Sequence, residues 1–272
     1  MQIFVTGATG WVGSAVVEEL IAAGHQVTGL ARSAEKAVAL AVTGAQVIRG
    51  SLEDANVLRD AAQSADAIIH TAFNHDFSRF VQNCEQDPQV IELLGEAITG
   101  SDRMLLVTSG LSGMARGATE LDPPQPVSPR GVHVATVRLA PSVHDLGDHG
   151  FVPILVRLAR ESGISAWCGT GENCWSGVHR RDAARVYRLA LEQGVTERVY
   201  HAVADEAVPF RAIAETIGRQ LGLPSCESDR AHLGWFANMA VSSQRTRTLL
   251  DWSATRPDLL SELNTPAYYT HL

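Results

Sequence analysis

Residues 3–13 read IFVTGATGWVG. A short apolar run is followed by glycines at 7, 10 and 13. Val12, Val16, Val17, Leu20 and Ile21 then recur on one helical face, and Gly24 is placed to end that helix. In a strand–turn–helix setting each glycine has a task. Gly7 permits the tight turn, Gly10 lets the backbone approach a pyrophosphate, and Gly13 lets the helix pack close to the strand. The helix N-terminus then presents free N–H groups and the positive end of its dipole to the phosphates. A bare glycine triplet says little; in this context it is a strong signal for a dinucleotide. Gly7, Thr9, Gly10, Trp11, Val12 and Gly13 are therefore expected to line the cofactor.

Outward from this stretch, two periods alternate. Strands are expected at 26–31, 45–50, 66–72 and 103–110, with helices at 34–42, 54–64 and 76–99, the last broken or kinked at Pro88. This βα alternation with buried-type strands predicts an α/β, Rossmann-type doubly wound parallel sheet. The expected organisation is a dinucleotide-binding core over 1–150. Residues 151–272 would then form a mixed region that adds the remaining sheet elements and a small C-terminal substrate lobe. There a sixth strand (132–139) is followed by helices at 151–161, 182–192 and 209–221, strands at 164–168 and 198–203, and an irregular, partly helical end from Asp229.

Composition narrows the function. The 272 residues are 45% hydrophobic, enough for a sizeable core, and the net charge of −8 with no basic run argues against nucleic acid and anionic membranes. No apolar stretch reaches ~18 residues, and Met1 leads directly into a strand, so a cytoplasmic protein without a signal peptide is expected. Four scattered cysteines without a C-x-x-C pair suggest neither a zinc site nor a disulfide framework, and no metal is expected.

The second strand would end in LARS (30–33), which holds no acid to grip a ribose 2′-hydroxyl. Arg32 and Ser33 could instead hold a 2′-phosphate, because guanidinium matches phosphate bidentately, so NADP(H) is the expected cofactor. The plain alternative is a solvated surface arginine.

These residues resemble the short-chain dehydrogenase/reductase superfamily, in its extended and atypical, NAD-dependent epimerase/dehydratase-like branch, over nearly the whole chain. RGSLED (49–54) resembles the segment after the third strand, where Leu52 would touch the adenine and Ser51 stands in place of the usual Asp. HTAF (70–73) resembles the segment under the ribose, which implicates Thr71, Ala72 and Phe73. VTSG (107–110) resembles the fifth-strand end, with Thr108 at the cofactor and Ser109 donating to the substrate. RLAPSVH (138–144) resembles the strand end that meets the nicotinamide amide, through Pro141 and Val143. SGVHRRDAARVYRLAL (176–191) resembles a structural helix start beside the substrate lobe.

The resemblance fails at one place. It implies a Tyr with a Lys four residues later, on a helix before the sixth strand. Lys36 is the only lysine, and none of Tyr187, Tyr200, Tyr268 and Tyr269 precedes a Lys at that spacing. PVSPRGVHVATVRL (126–139) passes from a Pro- and Gly-rich turn straight into the sixth strand. Residues 111–131 are long enough for a parallel crossover but lack an apolar helical face, which would leave the sheet thinly covered there. Ser109 can polarise a carbonyl, and His75 is the expected candidate for a proton donor; a loop histidine bonded to Asp76 is the plain alternative. His144, His149 and His179 read as substrate-lobe or structural residues, and Trp167, Trp175, Trp235 and Trp252 as core more than pocket.

The leading expectation is an NADPH-dependent oxidoreductase passing hydride to a small carbonyl-type substrate bound between the sheet's C-terminal edge and the lobe from Phe151 onward. The alternative is a catalytically silent NADP(H)-binding sensor that acts through a protein partner. An epimerase or dehydratase ranks last, since it needs the same missing Tyr. A homodimer is possible through helices near the absent one.

Overall fold

The computed structural model describes residues 1–74, 79–123, 131–228, 238–270 and 272. Strands β1 (Gln2–Thr6), β2 (Gln26–Ala31), β3 (Gln46–Arg49), β4 (Ala67–His70) and β5 (Met104–Ser109) alternate with helices α1 (Trp11–Ala22), α2 (Ala34–Val42), α3 (Ala55–Gln63) and α4 (Phe80–Ile98). With β6 (His133–Leu139) and β10 (Val199–Ala202) they build one seven-stranded sheet, in the order β10-β6-β5-β4-β1-β2-β3. β1 runs parallel to β2 on one side (Ile3 opposite Val27) and to β4 on the other (Ile3 opposite Ala67). The chain order reverses across β1 and β4, so the carboxyl ends of these strands flank the crevice where ligands of open α/β sheets bind.

β1 is apolar because both its faces are covered: Ile3, Phe4 and Val5 are fully buried. On one face Phe4, Ile68 and Leu105 pack with Leu58 of α3 and Val90, Leu94 and Ile98 of α4. On α1, Val16, Val17 and Leu20 are buried. Helix α6 (Arg180–Glu192) is tied to α1 where Arg188 bridges Glu19 (2.7 Å) and Glu192 (2.6 Å), and His25 also reaches Glu192. The break expected at Pro88 does not occur, and α4 runs through it. Pro88 is exposed, as is Cys84, whose carbonyl loses its helical donor and can turn to water.

The chain divides into two compact units with interleaved segments. The first comprises Met1–Ser109, Pro126–Val137 and Ala184–Tyr200; the second comprises Gly110–Gln125, Arg138–Ala183 and His201–Leu272. The second contains a three-stranded sheet, β11 (Asp205–Pro209)-β9 (Cys174–His179)-β7 (Ser142–His144), and a two-stranded one, β12 (Ser225–Glu227)-β8 (Ser165–Trp167). Its core joins Val152 and Val156 of α5 (Phe151–Ser162), Trp175, and Phe210, Ile213 and Ile217 of α7 (Phe210–Leu221). It also takes in Leu259 and Leu263 of α9 (Leu259–Leu263). Trp167, Trp175 and Trp252 are buried, and Trp235 lies outside the described residues.

No helix follows β5 among the described residues. Residues 110–123 instead join the second unit. Gly117 donates to the Ala240 carbonyl (2.8 Å), Ser242 donates to that of Ala118 (2.8 Å), and Leu111 and Met114 are buried. The Glu120 carboxylate, 3% exposed, accepts from both the backbone N–H (2.8 Å) and the hydroxyl (2.6 Å) of Thr246 in α8 (Gln244–Leu250). Beside it, buried Arg138 donates to His201 Nε2 (3.2 Å), which leaves Nδ1–H for the Ser242 carbonyl (2.7 Å) and makes His201 a neutral imidazole. Burial also lowers its pKa. Residues 134–138 of β6 are all buried. Glu120→Ala leaves two buried donors unsatisfied and should lower stability by about 2–3 kcal/mol in urea denaturation, while Glu120→Gln, which keeps an acceptor, costs less.

Candidate dinucleotide-binding site

The turn after β1 is built by exclusion of side chains. Gly7 has φ +70°, and a Cβ there would meet Ala72 N and Thr71 Oγ1 at 2.7 Å. A Cβ on Gly13 would lie 2.0 Å from the Gly7 carbonyl oxygen. Gly10 N–H closes the turn on that same oxygen at 2.8 Å. Helix α1 thus starts against the β1 terminus. Gly10 gives it no side-chain cap, and its first turn holds no acid, so its dipole end is uncompensated. Glycine contact and open helix end together form a cradle that fits a pyrophosphate.

A polar network fixes the cradle from behind. His70 Nε2 donates to Asp87 of α4 (3.1 Å), so the hydroxyl of fully buried Thr6 donates to His70 Nδ1 (2.7 Å). The Thr71 hydroxyl donates to the Thr6 carbonyl (2.8 Å). The Thr108 hydroxyl donates to the His70 carbonyl (2.8 Å), so the Tyr187 hydroxyl, 2.8 Å away, donates to Thr108. The HTA tripeptide marks this position in the sequence, but nothing in the sequence gave His70 its two partners.

The cofactor residues expected from the sequence are placed as follows. Gly7 meets Thr71 and Ala72, Gly13 meets Thr71, and Gly10 lies against the Gly7 carbonyl, with Thr9, Trp11 and Val12 half-buried on the same turn and Phe73 half-buried beyond Ala72. Arg32 is exposed at the end of β2, and the Ser33 hydroxyl caps α2 by accepting from Lys36 N–H (3.2 Å). Ser51 is held by Asp54 through its N–H (2.6 Å) and hydroxyl (2.9 Å), and half-buried Leu52 packs on the sheet core. Ser109 is exposed at the end of β5. Pro141 and Val143, both half-buried, belong to the second unit, and His75 lies outside the described residues.

All four tyrosine hydroxyls are engaged in structure. Tyr187 is fully buried, which pushes its pKa well above the usual phenol range against the pull of Thr108. Tyr200 accepts from Glu197 N–H (3.0 Å), Tyr268 donates to Asp148 (2.9 Å), and Tyr269 donates to the Leu263 carbonyl (2.9 Å). Burial pushes Tyr269 up to about 12. Lys36, in the first turn of α2, has no tyrosine beside it in sequence.

One cluster in the second unit has the residue types of a metal site: Asp145, His179 and Glu262 offer donor atoms within 4.8 Å of one another. Hydrogen bonding accounts for it without a cation. His179 Nδ1 accepts from Arg181 N–H (3.2 Å), so Nε2 carries the proton and donates toward Asp145 (3.3 Å). Arg180 holds the other Asp145 oxygen (2.8 Å), and Glu262 is bonded to His144 Nδ1. Burial raises the Asp145 pKa, but the bonds from His179 and Arg180 win and hold it far below the usual carboxylate range.

Comparison with known proteins agrees with this geometry. Residues 7–124 match the family described as NAD(P)H-binding. An uncharacterized protein of Schizosaccharomyces pombe is 41% identical over 295 residues, covering 99% of this chain and 100% of the relative. A sterol-4-alpha-carboxylate 3-dehydrogenase of Dictyostelium discoideum is 24% identical over 240 residues (77% and 73% covered). A ketoreductase of Stigmatella aurantiaca, acting on a 4-hydroxy-2-methyl-3-oxo-4-farnesyl-3,4-dihydroquinoline-1-oxide, is 26% identical over 237 residues (78% and 71%). Among solved structures, Pal from Bacillus thuringiensis superposes with TM-score 0.77 at 17% identity (99% and 98% covered). The Bordetella bronchiseptica enzyme WbmG in complex with NAD gives 0.75 at 20% (99% and 94%). The chain belongs to one family with the S. pombe protein, its residues 7–124 are those of an NAD(P)H-binding domain, and its fold is that of Pal and WbmG. The S. pombe alignment is longer than this chain: 295 less 272 leaves at least 23 positions at which the relative has a residue and this chain has none.

Gly13→Ala forces the Gly7 carbonyl out of the turn. Fluorescence titration with NADPH should then show loss of binding, while the far-UV circular dichroism stays that of an α/β protein.

Proposed function

We propose that this protein is an NADPH-dependent oxidoreductase that reduces a small carbonyl-type substrate. The observation that carries this reading is the acid-free, cationic end of β2, where Arg32 stands beside the glycine cradle and Ser33 caps α2. An acid at this position would bind a ribose 2′-hydroxyl and repel a 2′-phosphate; a guanidinium does the opposite. In this reading the α1 terminus with Gly7, Gly10 and Gly13 holds the pyrophosphate. Thr71 and Ala72 line the ribose, and Leu52 lies against the adenine. A bound reduced nicotinamide would supply hydride. Exposed Ser109 would donate a hydrogen bond to the substrate oxygen as charge develops on it. The dehydrogenase and ketoreductase among the relatives support hydride chemistry.

A second reading, cofactor binding without turnover in the service of a protein partner, is favoured by one set of observations. The crossover after β5 has no helix among the described residues, every tyrosine hydroxyl is committed, and at least 23 positions of a full-length relative are missing. Titration with NADPH and NADH, followed by mixing of the NADPH complex with a panel of aldehydes and ketones, separates the readings. Tighter binding of NADPH than NADH with oxidation of the bound nicotinamide is the expected result. Binding without oxidation across the panel turns the assignment to the silent sensor. Arg32→Asp should weaken NADPH binding about tenfold or more, the loss of a charge-assisted phosphate contact, and leave NADH binding unharmed.

A further inference from the structure

We propose that Arg49, at the end of β3, is a second ligand for the cofactor's 2′-phosphate, so that discrimination between the two dinucleotides is set by the ends of two strands rather than one. This rests on the NADP reading above and deepens it.

The placement follows from strand register. β2 and β3 run parallel with Ala31 opposite Arg49, and Gly50 N–H donates to the Ala31 carbonyl at 3.2 Å. Arg49 therefore stands beside the residue that precedes Arg32. Its side chain turns toward that neighbour, and Nη2 donates to the Arg32 carbonyl at 3.2 Å. This contact folds the guanidinium over the turn that carries Arg32 and Ser33. A guanidinium has five N–H donors, so one bond to a carbonyl leaves most of them available.

The charge around this pair is unbalanced. Among the described residues no carboxylate lies within ion-pair distance of Arg32 or Arg49, although both are exposed. The acids next in sequence do not fill the place: Asp54 spends one oxygen on the Ser51 N–H and hydroxyl, and Glu35 and Glu53 form no ion pair with either arginine. Some arginines of this chain are neutralised by acids, as Arg188 is by Glu19 and Glu192, Arg211 by Glu215 and Arg180 by Asp145; Arg32 and Arg49 are not. Two cations held on one turn without a counter-charge repel each other, and a phosphate dianion relieves that repulsion while accepting from both planar forks. Lys36 and Glu35 both lie in the first turn of α2 and offset each other, so the two arginines carry the cationic character of this edge.

The test uses two small probes that differ only in the 2′-phosphate: adenosine 2′,5′-bisphosphate and adenosine 5′-monophosphate. Binding of each to the full chain and to Arg49→Met, which keeps the apolar stem, is measured by calorimetry at two salt concentrations. The expected result is that the full chain prefers the bisphosphate. Arg49→Met should weaken the bisphosphate about tenfold, leave the monophosphate unchanged and flatten the salt dependence. Arg49→Lys should restore part of the preference. Equal weakening of both probes would mean that Arg49 only props the β2–α2 turn through the Arg32 carbonyl, and would overturn the proposal. So would no change in either. A wild-type chain without preference for the bisphosphate would remove the NADP reading itself, and this inference with it. A preference that survives in Arg49→Met would remove this inference alone.

Discussion

The approach of Gly13 to the Gly7 carbonyl is the constraint on which the rest of the site depends. A methyl group at position 13 would sit 2.0 Å from that oxygen, so backbone must lie on backbone there. This contact sets where α1 begins relative to β1 and leaves its first turn without a side-chain cap. It also brings the turn against Thr71 and Ala72 at the end of β4. Thr6 then closes the arrangement from beneath, bonded to His70 through its side chain and to Thr71 through its carbonyl. Asp87 carries the chain of contacts out to α4. A loop held from both sides in this way needs little rearrangement when a phosphate arrives, which is how a short glycine turn keeps a fixed shape.

The same logic of fixed polar positions recurs where charge is buried. Glu120, Arg138 and His201 sit together in the second unit with nearly all their donors and acceptors matched, and His201 remains neutral because Arg138 occupies its Nε2 lone pair. Around Asp145 a comparable set holds its carboxylate through His179 and Arg180, and Glu262 bonds His144 Nδ1, while His144 Nε2 is buried without a hydrogen-bond partner. The network around Glu120 gives a segment without regular structure, residues 110–123, a defined path.

Much of the nucleotide-binding sheet was legible because its signals are local. The apolar runs of β1 to β5 and the face of α1 are periodic over their own lengths, and the glycines of residues 7–13 act within their own turn. Of the break or kink expected at Pro88, the break does not occur, because whether a proline ends a helix depends on whether the freed carbonyl can reach water, which is a property of the surface and not of the sequence window. The strands β7, β9, β11 and β12 were missed or blurred for a related reason. They are three to six residues long, and β9 is buried along its whole length, so no alternation marks it. At the candidate site, the turn formed by the glycine loop and the position of Arg32 at the end of β2 could be read directly. Arg49 could not, since only the register of β2 against β3 brings it to Arg32. His70 was visible as part of HTAF, but its bonds to Thr6 and Asp87 span 64 and 17 residues.

The interleaving of the two units has a consequence for how the chain is made. The nucleotide-binding sheet is closed on one side by β10, which begins at Val199, and its α1 face receives α6, which begins at Arg180. On a ribosome, five strands and the glycine turn emerge within the first 109 residues. The polar backbone edge of β6, however, waits for some sixty more after its own last residue, Leu139, before β10 arrives to pair with it. Until then the nascent sheet carries an open strand edge, the feature by which partly made β structure pairs with other chains. Synthesis of this protein therefore has a vulnerable interval that ends only when the C-terminal third begins to leave the exit tunnel.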